Sequence, residues 1–244
     1  MNDGHREAAD PIADRLSCVD WTRVTDQLVT RGYGLLPHLL STARCERIAA
    51  LYEDATAFRR RVIMQRHAYG RGEYQYFCYP LPDVISGLRN ALYRHLAPVA
   101  NAWYEALRLE PRFPATHAEF LARCHAAGQS RATPLLLSYG VEDYNRLHQD
   151  LYGEHVFPIQ ATVLLSDPAR EFSGGEFVLT EQRPRTQSRV EVVPLRQGDA
   201  VLFAVRERPE SGPRGYRRVT MRHGVSRVRS GRRRALGIIF HDAT

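Results

Sequence analysis

The chain has 244 residues, of which 43% are hydrophobic and 25% charged, and its formal net charge is +7. This composition is typical of a globular protein and excludes wholesale disorder, and no stretch is apolar for long enough to cross a bilayer. The length suits one domain with a full core and is marginal for two, so we expect one domain over residues 1–244.

The N-terminal residues and the cysteines indicate a cytoplasmic location. Residues 1–17 carry charges where a secretion signal would have an apolar centre. The four cysteines (Cys18, Cys45, Cys78 and Cys124) form no CxxC pair, which argues against a zinc knuckle or a disulfide scaffold. We therefore expect reduced, mostly buried thiols.

All 34 basic residues are arginines, since the sequence contains no lysine. Clustered arginines can neutralise phosphates, which keeps a nucleic-acid partner among the alternatives. A bias in genome composition can produce the same excess, and solvated charge is the more frequent meaning of a basic balance.

The first half of the chain predicts helices with a few strands. Residues 1–15 indicate a flexible lead, and Ser41 suits the N-cap of a helix. The predicted elements are a helix at 19–31, a short strand at 32–36, and helices at 42–54, 84–108 and 115–127.

Residues 61–79 mix arginines and tyrosines with strand-forming residues. Alternation predicts one face with Tyr74, Tyr76 and Cys78 and another with Gln75, Phe77 and Tyr79. Packing of the aromatic rings on a helix is the more frequent arrangement, and the alternative is that one face lines a pocket.

From residue 134 onward, short apolar runs alternate with Gly, Pro and Asp, which predicts a two-sheet β-sandwich or jelly roll. The predicted strands are 135–139, 158–165, 175–179, 189–193, 200–205, 220–229 and 233–240.

Three residues have the spacing of a metal site: His148 and Asp150 in the tripeptide H-Q-D, and His223, which follows Asp150 by 73 residues. In an extended chain, residues i and i+2 project to the same side, so His148 and Asp150 can bind one ion. Two imidazoles and one carboxylate on one face of an octahedron are the arrangement that non-haem iron(II) uses for oxygen chemistry.

The residues after His223 support this interpretation more than the tripeptide does, because the chain has ten histidines. Ser230 and Gly231 predict a turn, after which a second strand returns beside the strand of His223. An arginine near the start of that returning strand would lie within reach of the open metal positions.

These residues resemble the Fe(II)/2-oxoglutarate-dependent dioxygenases, whose hallmark is H-x-D, a distal H, and an arginine about ten residues later. The resemblance covers residues 134–241 and includes A-T-V-L-L-S-D at 161–167, G-G-E-F at 174–177 and G-D-A-V-L-F at 198–203. It is strongest with a bacterial subgroup, similar to prolyl-hydroxylase-like and AlkB-like oxygenases, that has been labelled as acting on damaged DNA.

The resemblance implies a mainly β fold with a double-stranded β-helix core of the cupin-like jelly-roll type. In this fold residues 1–130 would supply helical support and flanking strands, and residues 131–244 the core with the metal site. It also implies that Fe(II), held by His148, Asp150 and His223, works with 2-oxoglutarate and O2.

In this family an arginine pairs with the distal carboxylate of 2-oxoglutarate, and Arg233 stands ten residues after His223. Arg233 shares a strand face with the small residues Ala235 and Gly237, which leave room inside a barrel. Arg234 lies on the opposite, more apolar face and is the alternative.

Other members of the family place further polar side chains near the co-substrate. Tyr139 is the candidate hydroxyl, with a core tyrosine as the alternative, and Leu164 stands where many members have a second tyrosine. Thr162 and Gln160 are the remaining candidates. His241 is expected in an exposed tail.

Three functions remain open on the sequence. The first is hydroxylation of a small-molecule or amino-acid-type substrate. The second is oxidative demethylation of nucleic acid, which the arginines, the segment 61–79 and a predicted loop at 206–218 beside the site would favour. The third is a cupin-like metal-binding protein without turnover. The sequence leaves the oligomeric state undecided.

Overall fold

The structure is a computed structural model, and it describes residues 12–110, 112–213 and 215–244. Most of the predicted flexible lead therefore lies outside the described residues. The prediction was wrong for residues 12–15, which belong to the helix Ile12–Ser17. Leu16 of this helix is buried in the main hydrophobic core, so packing orders the segment.

Five α-helices are described, and three of them begin at a residue whose side chain caps the helix: Asp20, Ser41 and Thr116. Ser41 accepts a hydrogen bond from the backbone N–H of Arg44, and Thr116 forms a capping box with Glu119. The helix predicted at 42–54 is shorter because its end tightens into a 3₁₀ turn at Leu51–Glu53. The helices are α1 (Ile12–Ser17), α2 (Trp21–Arg31), α3 (Thr42–Ala50), α4 (Asp83–Ala106) and α5 (His117–Ala126).

Most strands belong to two antiparallel sheets. The seven-stranded sheet has the order β1 (Tyr33–Leu36), β11 (Ala200–Ala204), β7 (Ile159–Leu164), β15 (Arg233–Ile238), β5 (Leu135–Tyr139), β4 (Glu73–Phe77) and β2 (Phe58–Ile63). The six-stranded sheet has the order β10 (Arg189–Val193), β9 (Phe177–Gln182), β13 (Gly215–Val225), β6 (Tyr144–His148) and β3 (Gly70–Arg71), with β12 (Glu207–Gly212) paired to β13. A separate pair joins β8 (Phe172–Gly174) to β14 (Val228–Gly231).

Side-chain burial shows how the layers pack. One face of the seven-stranded sheet shares the main core with the long helix α4, through residues such as Val163, Leu236 and Leu92. On its other face Val201 and Phe203 meet Phe177 of the six-stranded sheet. The predicted jelly-roll core with helical support is confirmed, and every position of β7 is buried because both of its faces are covered.

The course of the chain after His223 differs from the prediction. Ser230 and Gly231 lie in β14, which pairs with β8, and β15 then joins the seven-stranded sheet between β5 and β7. The chain thus crosses from one sheet to the other, and the expectation that β15 lies beside β13 was wrong. Sequence patterns mark strands but not their partners, which tertiary packing selects.

The prediction of a loop at 206–218 was also wrong, because β12 and β13 form a paired hairpin there. The many charges are matched across the ladder, as in the ion pairs Arg217–Glu210 and Arg218–Glu207. Arg208 is fully buried and donates to Glu181 at 2.6 Å.

The segment 61–79 forms part of a hairpin, with β2 and β4 paired and a 3₁₀ turn at Met64–His67 between them. The predicted alternation is correct for its core positions, since Phe77 packs in the main core while Tyr74 and Tyr76 face a cavity between the sheets. Within the described residues, no helix is long and apolar enough to cross a membrane.

Candidate metal centre and co-substrate pocket

Neighbouring strands bring the three predicted metal ligands together. His148 ends β6, Asp150 follows two residues later, and His223 lies in β13 directly opposite His148 in the ladder. The two imidazole rings are 4.1 Å apart between centroids, and one potential ligand atom from each residue lies within 4.8 Å of the others.

The carboxylate of Asp150 lies between the two imidazoles. Its Oδ1 is 3.5 Å from Nε2 of His148, and its Oδ2 is 3.3 Å from Nε2 of His223. Burial would raise the pKa of Asp150, but the neighbouring imidazoles and hydrogen bonds outweigh it, and the net shift is downward. Burial, reinforced by His148, lowers the pKa of His223. An ionised carboxylate and a neutral imidazole are the forms that bind a divalent metal.

Further hydrogen bonds orient these side chains. Nδ1 of His148 lies 2.7 Å from the carbonyl oxygen of Arg146, to which it can donate, so that Nε2 points to the ligand cluster. Tyr152 donates to Oδ1 of Asp150 at 2.7 Å, and Gln160 donates to Oδ2 at 2.9 Å. Tyr152 was not among the predicted site residues, although its position two residues after Asp150 was a usable signal.

A cavity of about 710 Å³ opens beside the cluster and is lined from both sheets. Arg233 lies in its wall at the start of β15, with a relative exposure of 2%. Its Nε has no hydrogen-bond partner, and no ion pair to Arg233 occurs within the described part of the chain. A buried guanidinium without a counter-ion is costly unless an anion binds there, so this site fits the carboxylate of a ligand.

Arg234, the alternative arginine, does not line the cavity. It donates to the carbonyl oxygen of Ala49 and to Glu53, and its guanidinium carbon lies 5.5 Å from the centroid of the Tyr52 ring. The two arginines face opposite ways because neighbouring residues of a strand alternate between the faces of the sheet.

The other predicted co-substrate residues line the same cavity. Tyr139 is fully buried, with its ring centroid 5.6 Å from the guanidinium carbon of Arg233. Thr162 and Gln160 project into the cavity from β7, and Oε1 of Gln160 has no hydrogen-bond partner.

Two other predictions about the surroundings of the site were wrong. His241 is fully buried rather than exposed, because the C-terminal residues pack against the rest of the protein. Nδ1 of His241 accepts a hydrogen bond from the N–H of Phe157. The segment 206–218 does not border the cavity, since none of its described residues is in the lining.

The fold is similar to that of solved structures of a prolyl hydroxylase and of a 2OG-Fe(II) oxygenase. A Pseudomonas putida prolyl-4-hydroxylase has a TM-score of 0.53 and 16% identity, with 89% of this chain and 96% of that chain covered. An oxidoreductase of the 2OG-Fe(II) oxygenase family from Burkholderia pseudomallei has a TM-score of 0.52 and 16% identity over 100% of this chain and 95% of that one.

The chain itself belongs to the Oxygenase-NA family, described as oxygenases catalysing oxidative methylation of damaged DNA, whose model matches residues 72–243. It is also 51% identical to the uncharacterized proteins MT2286 and Rv2227 of two Mycobacterium tuberculosis strains, over 67% of this chain and 70% of theirs. The predicted class, an Fe(II)- and 2-oxoglutarate-dependent oxygenase, is confirmed, and the alternative of a cupin-like protein without turnover is not supported.

Proposed function

We propose that His148, Asp150 and His223 bind Fe(II) and that the enzyme couples oxidative decarboxylation of 2-oxoglutarate to hydroxylation of a small-molecule or amino-acid-type substrate. The observation that carries this proposal is the convergence of the three ligand atoms within 4.8 Å at the wall of a cavity. Two imidazoles and one carboxylate suit iron(II) and leave positions for other ligands.

Arg233 would hold the distal carboxylate of 2-oxoglutarate through charge-assisted hydrogen bonds. The hydroxyl groups of Tyr139 and Thr162 lie in the same cavity and would donate to the same co-substrate. The unpartnered guanidinium supports this role, since 2-oxoglutarate would supply the missing counter-charge.

Bound iron, with 2-oxoglutarate and O2, supplies the oxidising power for attack on a C–H bond. The chain contributes the ligand geometry, the anion-binding arginine and a largely buried site. Tyr152 and Gln160 hold the two oxygens of Asp150 in place through their hydrogen bonds.

The test compares iron content and oxygen-dependent succinate release in the parent enzyme, His148→Ala and Asp150→Ala. We expect each variant to bind iron at least about tenfold more weakly and to lose nearly all turnover, because one of three ligands is missing. His38→Asn, which changes an exposed histidine that does not line the cavity, is the matched control. Equal iron content and turnover in all four proteins would contradict the proposal.

Demethylation of nucleic acid is the second candidate, because the description of the family refers to damaged DNA. Hydroxylation of an N-methyl group gives an unstable product that releases formaldehyde, so the same site serves both reactions. Tyr74, which is half-buried in the cavity lining, offers a ring on which a flipped base could stack. Undetectable binding of a methylated oligonucleotide at low salt would exclude this candidate, since phosphate contacts are strongest there.

We also propose that residues 1–244 act as one oxygenase domain in the cytoplasm. Strands from both parts of the chain support the single domain, since β1 pairs with β11 and β4 pairs with β5. All four cysteines are free thiols, as expected in a reducing compartment.

A further inference from the structure

Three arginines without acidic partners line one side of the cavity mouth. Arg59 and Arg60 belong to β2, at the edge of the seven-stranded sheet, and Arg131 lies close to the C-terminal residues. Two successive strand residues normally face opposite ways. Here a β-bulge between Phe58 and Arg60 adds one residue to β2, and both arginines line the cavity.

The guanidinium groups of this arginine cluster (Arg59, Arg60 and Arg131) are free to bind a ligand. Arg59 donates through Nε to the carbonyl oxygen of Ala132 and lies over the ring of Tyr76, 4.7 Å from its centroid. Its terminal nitrogens have no partner among the described residues, and no ion pair involves any member of the cluster there. Burial, together with Arg131 and Arg60, lowers the pKa of Arg59.

Several arginines elsewhere in the protein form ion pairs with acidic side chains. Arg61, the next residue of β2, faces away from the cavity and pairs with Glu73. Arg89 pairs with Asp242, and Arg208 with Glu181. The three arginines of the cluster, in contrast, lie close together with no ion pair among the described residues, and this part of the cavity wall is therefore suited to bind an anion.

The charge of the whole cavity also favours an anionic ligand. Within the part of the chain that the structure describes, the lining contains one acidic side chain, that of Asp150, and five arginines: Arg59, Arg60, Arg131, Arg146 and Arg233. The two charges of Fe(II) and those of the 2-oxoglutarate dianion cancel. The loaded site would therefore keep a large positive excess, more than a single carboxylate on the prime substrate would balance.

Another part of the lining is apolar and lies in or next to strands β3 and β6 of the six-stranded sheet. Tyr69, Leu147 and Leu151 line the cavity there with exposures of 50%, 46% and 38%. Exposed large apolar side chains beside a cavity are typical of a ligand-binding surface.

We infer that the prime substrate carries a phosphate group that binds the arginine cluster, while an apolar or planar part of the substrate lies against Leu147 and Leu151. A phosphate ester has the charge and the several acceptor oxygens that three guanidinium groups can engage. This inference rests on the proposed oxygenase function and adds the substrate class to it.

The test measures anaerobic binding to the enzyme loaded with Fe(II) and 2-oxoglutarate, by calorimetry. The first probe is deoxyadenosine 5′-monophosphate, whose counterpart is deoxyadenosine. The second is phenyl phosphate, whose counterparts are phenol and the carboxylate benzoate. The third is a short single-stranded oligodeoxynucleotide, which is also compared with deoxyadenosine. We expect at least one phosphate probe to bind about tenfold or more tightly than its phosphate-free counterpart, and the ranking of the three distinguishes mononucleotide, simple ester and nucleic acid as the source.

Arg60→Gln and Arg131→Gln should each weaken binding of that phosphate probe about tenfold. Arg66→Gln is the matched control, because Arg66 is exposed in the same hairpin but does not line the cavity. Phosphate probes that bind no better than their counterparts, or that bind equally to the parent and the two variants, would overturn the inference.

Failure of this inference is distinguishable from failure of the proposed function. Iron-dependent release of succinate by the parent enzyme without any phosphate probe tests only the oxygenase. Succinate release without arginine-dependent phosphate binding would overturn the substrate class alone. Phosphate binding without succinate release would overturn the oxygenase and leave an anion site.

Discussion

The carboxylate of Asp150 shows how single side chains prepare the metal site. Each of its oxygens accepts a hydrogen bond, one from Tyr152 and one from Gln160, and Tyr76 donates to the hydroxyl of Tyr152 at 3.0 Å. Such outer partners restrict the rotation of a ligand and maintain its geometry before the metal binds. Tyr76, which acts on Asp150 only through Tyr152, can therefore influence metal affinity.

Tyr152→Phe removes only the hydroxyl that donates to Asp150. We expect the affinity for Fe(II) to fall about 10- to 100-fold, because the carboxylate loses one of its two orienting hydrogen bonds. Anaerobic titration with Fe(II) measures this change.

Tyr33→Phe is the matched control for Tyr152→Phe, since it also removes a hydrogen bond from a tyrosine to a carboxylate, that of Glu191, at a distant position. It should leave the affinity for Fe(II) unchanged. An equal loss in both variants would mean that the effect reflects general destabilisation.

At the scale of an element, strand β15 places two adjacent arginines, Arg233 and Arg234, on opposite faces of the seven-stranded sheet. Arg233 faces the cavity, whereas Arg234 contacts Ala49 and Glu53 on the helical side of the sheet. The strand pairs with β5 and β7 on its two edges, so its register is set from both sides.

Neutral substitutions at these two neighbours should therefore have different effects. Arg233→Gln should raise the KM for 2-oxoglutarate about 10- to 100-fold, because a charge-assisted contact to the carboxylate is lost. Arg234→Gln should leave that KM near the parent value and lower the free energy of unfolding by about 1 kcal/mol. Steady-state kinetics and urea unfolding measure the two quantities, and a reversed pattern would contradict the assignment of Arg233.

At the scale of the whole molecule, the C-terminal residues join the sheets to the helices. Asp242 is fully buried and accepts hydrogen bonds from Arg89 of α4, His125 of α5 and Tyr79. The adjacent His241 is equally buried. Its burial, with the nearby Arg89, lowers its pKa from 6.5 to about 3.

This burial predicts a loss of stability in acid. Below pH 6.5 the unfolded chain takes up a proton at His241, and the folded protein does so only near pH 3. The unfolded state therefore binds more protons between these values, and stability falls as the pH is lowered. His241 alone should reduce the free energy of unfolding by about 2 kcal/mol from pH 7 to pH 5.

His241→Asn tests this pH dependence, because the amide oxygen of asparagine can accept the hydrogen bond from Phe157 but does not titrate. Urea unfolding at pH 7 and pH 5 should show a smaller difference in this variant, by about 2 kcal/mol. His67→Asn, at an exposed histidine with no ion pair among the described residues, is the control and should keep the parental difference. An unchanged difference in His241→Asn would show that the pKa of this histidine is not depressed.

Much of the protein followed from its sequence because local rules govern it. The alternation of side chains in an extended chain put His148 and Asp150 on one side, and it separated Arg233 from Arg234. Strands β5 and β10 have their predicted bounds, since apolar runs and turn residues mark them clearly. These features depend on neighbours in the chain.

Only the tertiary structure decided which strands pair, which charges are buried and what surrounds the site. The charged residues of 206–218 resembled a loop, because their partners across the β12–β13 ladder are not adjacent in sequence. Tyr152 and the bulge at Arg59 gained their roles in the same way, through contacts that form only when the sheets face each other. Sequence periodicity records the face on which a side chain lies, whereas long-range packing determines what it meets there.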